Sequence, residues 1–332
     1  VDIGILVTVS AASNTIGGTG ANDANVVGHG ANAGIVIRNS GSDGNIVVGN
    51  IIGRGPDRTT PMPNTTHGIE LYDLAASNRI GGTTTAERNL IAGNGGDGVY
   101  LATDAGADNA IIGNTIHSNG GLAIDLDLDG VTSNDGGDVD AGPNDVLNHP
   151  VITSAAAAGG TVTVDFDLDA PAGDYRIEAF TNPGGGDPSG HGEAQAFQNG
   201  TTITHPGGNA THQITYPGGG DEPVSLTATE EPTPGSYAST SEHSANATVT
   251  GPCLDTDGDG LCDREEDANT DADFSPATNA GPDTDGDATP NYLDGDDDGD
   301  TAPTATENAD PNSDGDPRDG SDGDWDGQLD YL

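Results

Sequence analysis

Lysine is absent from this chain of 332 residues, and arginine supplies the only permanent cations, at positions 38, 54, 58, 79, 88, 176, 264 and 318. Against 55 aspartates and glutamates this leaves a formal charge of −47 at neutral pH. Nothing is on hand to neutralise a row of phosphates. That excludes nucleic-acid binding through a basic face, and an anionic membrane is an equally poor partner. Aromatic residues make up only 4 %, too few for helices packed around large side chains. No apolar run reaches the length of a transmembrane helix, so no membrane insertion is expected of this chain. There is no initiator methionine and no signal-peptide pattern at Val1, which reads as a mature form or as a fragment of a longer protein.

What is abundant is glycine, 53 residues of it, together with Asp, Asn and Thr. These residues favour short strands joined by tight turns. Residues 1–53 laid over 65–117 match without a gap: AASN at 11–14 falls on AASN at 75–78, and IGGT at 16–19 on IGGT at 80–83. Asn25, Asn45 and Asn50 fall on Asn89, Asn109 and Asn114. This is a true 64-residue internal repeat. Within it, a glycine-led strand motif recurs as GILV (4–7), GIVI (34–37), GIEL (68–71), GVYL (98–101) and GLAI (121–124), spaced 30, 34, 30 and 23 residues apart. A second motif, Asn followed by Ile or Val and then Gly, alternates with it. One such coil cannot bury its inward Ile, Val and Leu, but a stack can. Asparagines at equivalent positions are expected to form hydrogen-bonded ladders. The pattern over residues 1–128 resembles the right-handed parallel β-helix family. Residues 54–67 read as a loop inserted between coils.

Residues 129–150 look like the acidic exit from that helix, with Asp135, Asp138 and Asp140 close in sequence. Two readings stand for them, a calcium site and an ordinary solvated loop. From 151 to 250 the pattern changes to longer alternating strands, at 162–168, 175–180, 211–216, 224–229 and 247–250, between Pro- and Gly-rich turns. This implies an antiparallel β-sandwich, Ig-like in broad class. The fold class expected is therefore all-β: parallel β-helix, sandwich, then an irregular tail at 251–332 organised by calcium.

That tail carries 26 acidic residues and two arginines. Asp255, Asp257, Asp259, Gly260 and Glu266 match D-x-D-x-D-G-x5-E. Alternate carboxylates fold around one point when a glycine permits a sharp bend, and Ca²⁺ takes six to eight oxygens. Leu261 would lend its carbonyl, and Asp263 a direct or water-mediated contact. Related spacings place Asp283, Asp285, Asp287 and Asp294; then Asp294, Asp296, Asp298 and Asp300 with Glu307; then Asp310, Asn312 and Asp314; then Asp322, Asp324, Asp326 and Asp330. Ala288 stands where a glycine is expected, and residues 301–321 break the spacing. DTDGDATPNYLDGDDDGD resembles the thrombospondin type 3 repeats, which implies a tail wrapped around several calcium ions. A disordered acidic tail is the alternative.

Cys253 and Cys262 bracket the first calcium loop. A disulfide between them would preorganise that loop and fit an oxidising exterior; a zinc pair would lack two further ligands. Asn64, Asn199, Asn209 and Asn246 begin N-x-[ST] sequons and are candidate glycan acceptors.

Catalytic signatures are sparse. Gly28-His29-Gly30 supplies a GHG, but no paired aspartates precede it and no basic triplet follows, so His29 reads as a turn residue. The β-helix fold hosts polysaccharide lyases and hydrolases, which keeps a secreted carbohydrate-active or carbohydrate-binding protein as the alternative. The reading preferred from sequence is a non-catalytic, calcium-stabilised extracellular or cell-surface protein, a subunit of a surface layer, stalk or filament. Its partners would be copies of itself or other surface proteins. The alternative would add a polysaccharide.

Overall fold

Thirteen short strands wind through successive coils between Ile5 and Leu126 in the computed structural model, which describes residues 3–20, 22–127, 130–220 and 222–251 together with Leu293 and Thr304. Rung 1 holds β1 (Ile5–Val7), β2 (Thr15–Gly17) and β3 (Val26–Val27); rung 2 holds β4 (Ile35–Arg38), β5 (Ile46–Val48) and β6 (Ile51–Ile52). Rung 3 holds β7 (Ile69–Tyr72), β8 (Arg79–Gly81) and β9 (Leu90–Ala92); rung 4 holds β10 (Val99–Leu101), β11 (Ala110–Ile112) and β12 (Thr115–His117); β13 (Ile124–Leu126) begins a fifth. Each strand pairs in parallel with its counterpart one coil away, giving the sheets β1-β4-β7-β10-β13, β2-β5-β8-β11 and β3-β6-β9-β12. This is the right-handed parallel β-helix that the repeat implied. The 64-residue period is two rungs: Ile5 and Ile69, Ile35 and Val99, and Ile46 and Ala110 occupy matching places.

Inside the coil the first and third residues of each glycine-led strand point inward. Ile35, Ile37, Ile69, Leu71, Val99 and Leu101 are 0 % exposed and join one core with Val47, Ile52, Ile80 and Ile91. Each such side chain contributes about 2 kcal/mol by leaving water. The turns are held by asparagine ladders, as expected. Asn14, Asn45, Asn78 and Asn109 form one; Asn25, Asn50, Asn89 and Asn114 a second; Asn64, Asn94 and Asn119 a third. In each, an Oδ1 accepts both the backbone N–H and the Nδ2–H of the asparagine one rung earlier.

One register differs from the sequence reading. The motif GLAI (121–124) would align Leu122 with Val99, whereas Val99 pairs with Ile124 and β13 starts two residues later. Along the column Gly4, Gly34, Gly68 and Gly98, an added Cβ would press on the carbonyl oxygen of the next rung, at 2.6–2.8 Å. Ala123 ends that column, its carbonyl receiving the Val99 N–H. It is the last position of the column among the described residues, so the glycine that marks the other strands is not needed there.

The sandwich consists of β14 (Val151–Ala158), β15 (Thr161–Ala170), β16 (Gly173–Thr181), β17 (Ala196–His205), β18 (Gly208–Pro217), β19 (Pro223–Glu230) and β20 (Ala247–Thr248). They form sheets β14-β15-β18 and β17-β16-β19-β20. β15 alternates cleanly, with Val164, Phe166 and Leu168 buried and Asp165, Asp167 and Asp169 partly exposed between them. β16 does not: Tyr175 through Thr181 are all buried, because its second face lies against the end of the β-helix. Phe180 and Ala194 belong to the same apolar cluster as the coil's Ile111, Ile116 and Ile124. Residues 1–155, 163–216 and 222–249 accordingly form one compact unit. Within the second unit, Ala156 bridges Thr250 and the Gly218 N–H donates to Gly160 O. No helix among the described residues is long and apolar enough to cross a membrane.

Candidate metal centre

The segment Asp135-Gly-Gly-Asp-Val-Asp140 follows the last rung. Two glycines let it turn sharply, Gly137 at φ 81° and Asp138 behind it at φ 55°. The turn is pinned from both sides. The Val139 N–H reaches the Asp135 carboxylate at 3.2 Å, and the Asn148 N–H donates to Asp138 Oδ1 at 2.8 Å. Asn148, itself buried, holds the loop to the sandwich by donating Nδ2–H to the carbonyls of Asp135 and Asp169 at 2.9 and 2.7 Å. The result brings one carboxylate oxygen each from Asp135, Asp138 and Asp140 within 4.8 Å of one another.

Electrostatics follow from that convergence. Burial pushes the Asp138 carboxyl up to about 6, and the neighbouring charges of Asp140, Asp135 and Asp145 push the same way against the Asn148 N–H. Asp140 is raised too, by burial and by Asp135. Like charges held this close disfavour ionisation of Asp138 and Asp140. A divalent cation would relieve that repulsion. The donor set is oxygen only, which suits a hard cation such as Ca²⁺ rather than a thiolate- or imidazole-seeking metal. The residues present therefore fit such an ion, with waters completing its shell.

The other sites anticipated from sequence fall in different places. The tail positions, from Asp255, Asp257, Asp259, Leu261, Asp263 and Glu266 through Asp330, lie outside the described residues. Cys253 and Cys262 lie outside them as well. No disulfide is found among the described residues, and the pairing expected of these two cysteines is withdrawn. Asn64 is corrected as a glycan acceptor: it is 0 % exposed, and its Nδ2–H is donated to Asn94 Oδ1 at 2.8 Å inside the third ladder. Asn246 is engaged on both sides, accepting from Asn182 at 2.9 Å and donating to Gly192 O. Asn199 donates to Thr215 O, and Asn209 is exposed on β18. His29 sits in a turn at φ 58°, its N–H directed at the carbonyls of Met62 and Pro63.

The polar residues least visible in the sequence are three glutamates beneath the last rung. Glu178, Glu193 and Glu242 are 0, 8 and 3 % exposed. Glu178 accepts the Arg176 Nε–H at 2.7 Å and the Gly113 N–H at 2.7 Å. Alternation in YRIEAF (175–180) gives Arg176 and Glu178 the appearance of a solvated face, and nothing local shows that a second domain half covers it.

No protein-family model matches the chain, and no curated protein matches it either.

Proposed function

We propose that this protein is a non-catalytic, calcium-stabilised extracellular scaffold, a building unit of a surface layer, stalk or filament. The observation that carries the reading is the convergence of Asp135, Asp138 and Asp140 at the joint between β-helix and sandwich. Calcium there would cancel charge at the point where the chain passes from one half of the unit to the other. The calcium-loop spacings between Asp255 and Asp330 extend the same chemistry along the sequence. A rigid coil, ladders at its turns and a strongly acidic surface suit a structural role in a calcium-rich exterior.

Assembly through stacked coil ends has one constraint. The sandwich covers the last rung, so head-to-tail stacking of one β-helix on the next is not available through that end. The self-association we propose uses acidic surfaces bridged by calcium. The test is to image the full chain and measure its sedimentation in millimolar calcium and after chelation, with calorimetry of calcium uptake. Larger assemblies and heat of binding in calcium support the scaffold. Unchanged monomers with no uptake overturn it, and new reducing ends or unsaturated products from added polysaccharide would favour the carbohydrate-active alternative.

A further inference from the structure

The last rung of a parallel coil leaves backbone N–H groups without a following strand, and buried donors of this kind require acceptors. Here the sandwich and the segment after β19 supply them. The Asp108 N–H donates to Ser239 Oγ at 3.0 Å and the Ile111 N–H to Thr240 Oγ1 at 2.9 Å. The Asn109 N–H donates to Asn144 Oδ1 at 2.9 Å, which ends the first ladder. Ile116 and Ala194 exchange two backbone hydrogen bonds of 2.9 Å. The remaining donors turn to carboxylates. The Ser118 N–H meets Glu193 Oε1 at 2.6 Å. Glu242 takes the Leu126 N–H at 2.9 Å on Oε1 and the Thr132 N–H at 2.8 Å on Oε2, with the Thr132 hydroxyl also donating to Oε1.

Two hydroxyls, one side-chain amide and one backbone carbonyl serve four of these donors, and buried carboxylates serve the others: Glu193, Glu242 and, for the Gly113 N–H at 2.7 Å, Glu178. Glu178 has Arg176 beside it and Arg88 facing it. Glu193 and Glu242 have no cation partner among the described residues. Each faces another acid instead: Asp187 for Glu193, and Asp125 of β13 for Glu242. Burying an unpaired charge is costly, and a neutral carboxyl avoids the cost while its oxygens still accept N–H groups.

We infer that the seam between the last rung and the sandwich is a proton-sensitive latch, closed when Glu193 and Glu242 are protonated and loosened when they ionise. Burial, with the neighbouring acid, pushes both carboxyls up to about 7. A carboxyl raised in the folded state adds stability that is fully present below the ordinary value of about 4.5 and is lost as pH rises through about 7. Nearby histidines act the other way below about 6.5, since a histidine kept neutral by the fold costs stability as pH falls; they cancel only in a comparison of wild type with a variant that leaves them in place. His117, next to Ser118, is held down to about 4 by burial and Arg54. His149, which shares a recess with Glu242, is lowered by burial and His191, and His243 on the same segment is held down to about 3. All three are neutral at neutral pH. The latch does not depend on the calcium reading, since neither glutamate touches the aspartate cluster.

The test uses the full chain with chelator and high salt, which suppress calcium effects and long-range repulsion. Thermal midpoints of wild type and of Glu193→Gln/Glu242→Gln are compared from pH 4.5 to 8. The amides remove the titration; at 193 the amide oxygen keeps the acceptor for the Ser118 N–H, while at 242 it keeps the acceptor for the Leu126 N–H and the Thr132 hydroxyl and gives up the one for the Thr132 N–H, a cost that does not vary with pH. The thermal midpoint of the variant relative to wild type should therefore rise between pH 4.5 and pH 8. Hydrogen exchange at Ser118 and Leu126, corrected for intrinsic rates, should show wild-type opening rise relative to the variant between pH 5 and 7 by up to about tenfold per unit for each carboxyl. A wild-type-to-variant difference that does not change with pH overturns the latch. Should the double variant fail to fold, ¹³C carboxyl titration of the wild type decides: midpoints near 7 for both glutamates support it, and ordinary carboxylate midpoints overturn it.

Discussion

At the scale of single residues, Asp138 is where the calcium reading meets measurable chemistry. Its pKa, raised to about 6, means that without metal it adds stability below about pH 3.8 and loses it as pH rises through about 6. After discounting for its partial exposure, about 1–2 kcal/mol is at stake. Asp138→Asn should therefore leave the metal-free protein as stable as wild type in acid and slightly more stable at neutral pH. It should also weaken calcium binding at this loop roughly tenfold or more, by removing one of three charged ligands. Paired melting curves and calorimetry with and without calcium check both signs; a variant that binds as tightly as wild type would remove Asp138 from the site. The three aspartates were legible as a cluster from their spacing. The raised carboxyl was not, because it comes from burial by residues outside the acidic loop, which outweighs the lowering by the Asn148 N–H.

At the scale of elements, the ladders convert a sequence repeat into stability. Asn78 is 1 % exposed; its Oδ1 accepts the Asn45 N–H at 2.9 Å and the Asn45 Nδ2–H at 3.0 Å, while its own Nδ2–H goes to Asn109. Asn78→Ala leaves two buried donors of Asn45 unsatisfied and removes one of the two hydrogen bonds to Asn109 Oδ1, and should cost about 3 kcal/mol. Asn14 is exposed at the ladder's first step, so Asn14→Ala should cost under about 1 kcal/mol by the same reasoning. Denaturant unfolding of both variants tests the contrast, and equal losses would mean the ladders decorate rather than support the turns. The coil strands were readable because phase and residue type repeat together. β14 and β17 were not: VITSAAAA lacks the alternation of a strand, and AFQNGTTITH carries Asn-Gly at its middle, which reads as a turn. β13 was misplaced because its marker glycine is dispensable in the last rung. β16 was found, but its second buried face could not be seen, since both faces are buried only once the β-helix end lies against it.

For the whole molecule, charge sets the terms. A chain at −47 repels itself, and exposed charges are screened over about 10 Å at 0.1 M salt, so simple salt should relieve much of that cost. A specific site adds a different response. Screening by monovalent ions grows smoothly with ionic strength, whereas binding stabilises as the logarithm of free ligand above its dissociation constant. At fixed ionic strength, replacing a small part of the sodium chloride by millimolar calcium chloride should thus raise the thermal midpoint by several degrees. Magnesium, which gives up its waters reluctantly, should do less. Calorimetry of the full chain across matched ionic strengths separates the two terms. If calcium, magnesium and extra sodium chloride give one common curve, the acidity serves general salt tolerance and the ion-organised scaffold fails, whatever the convergence of the three aspartates suggests.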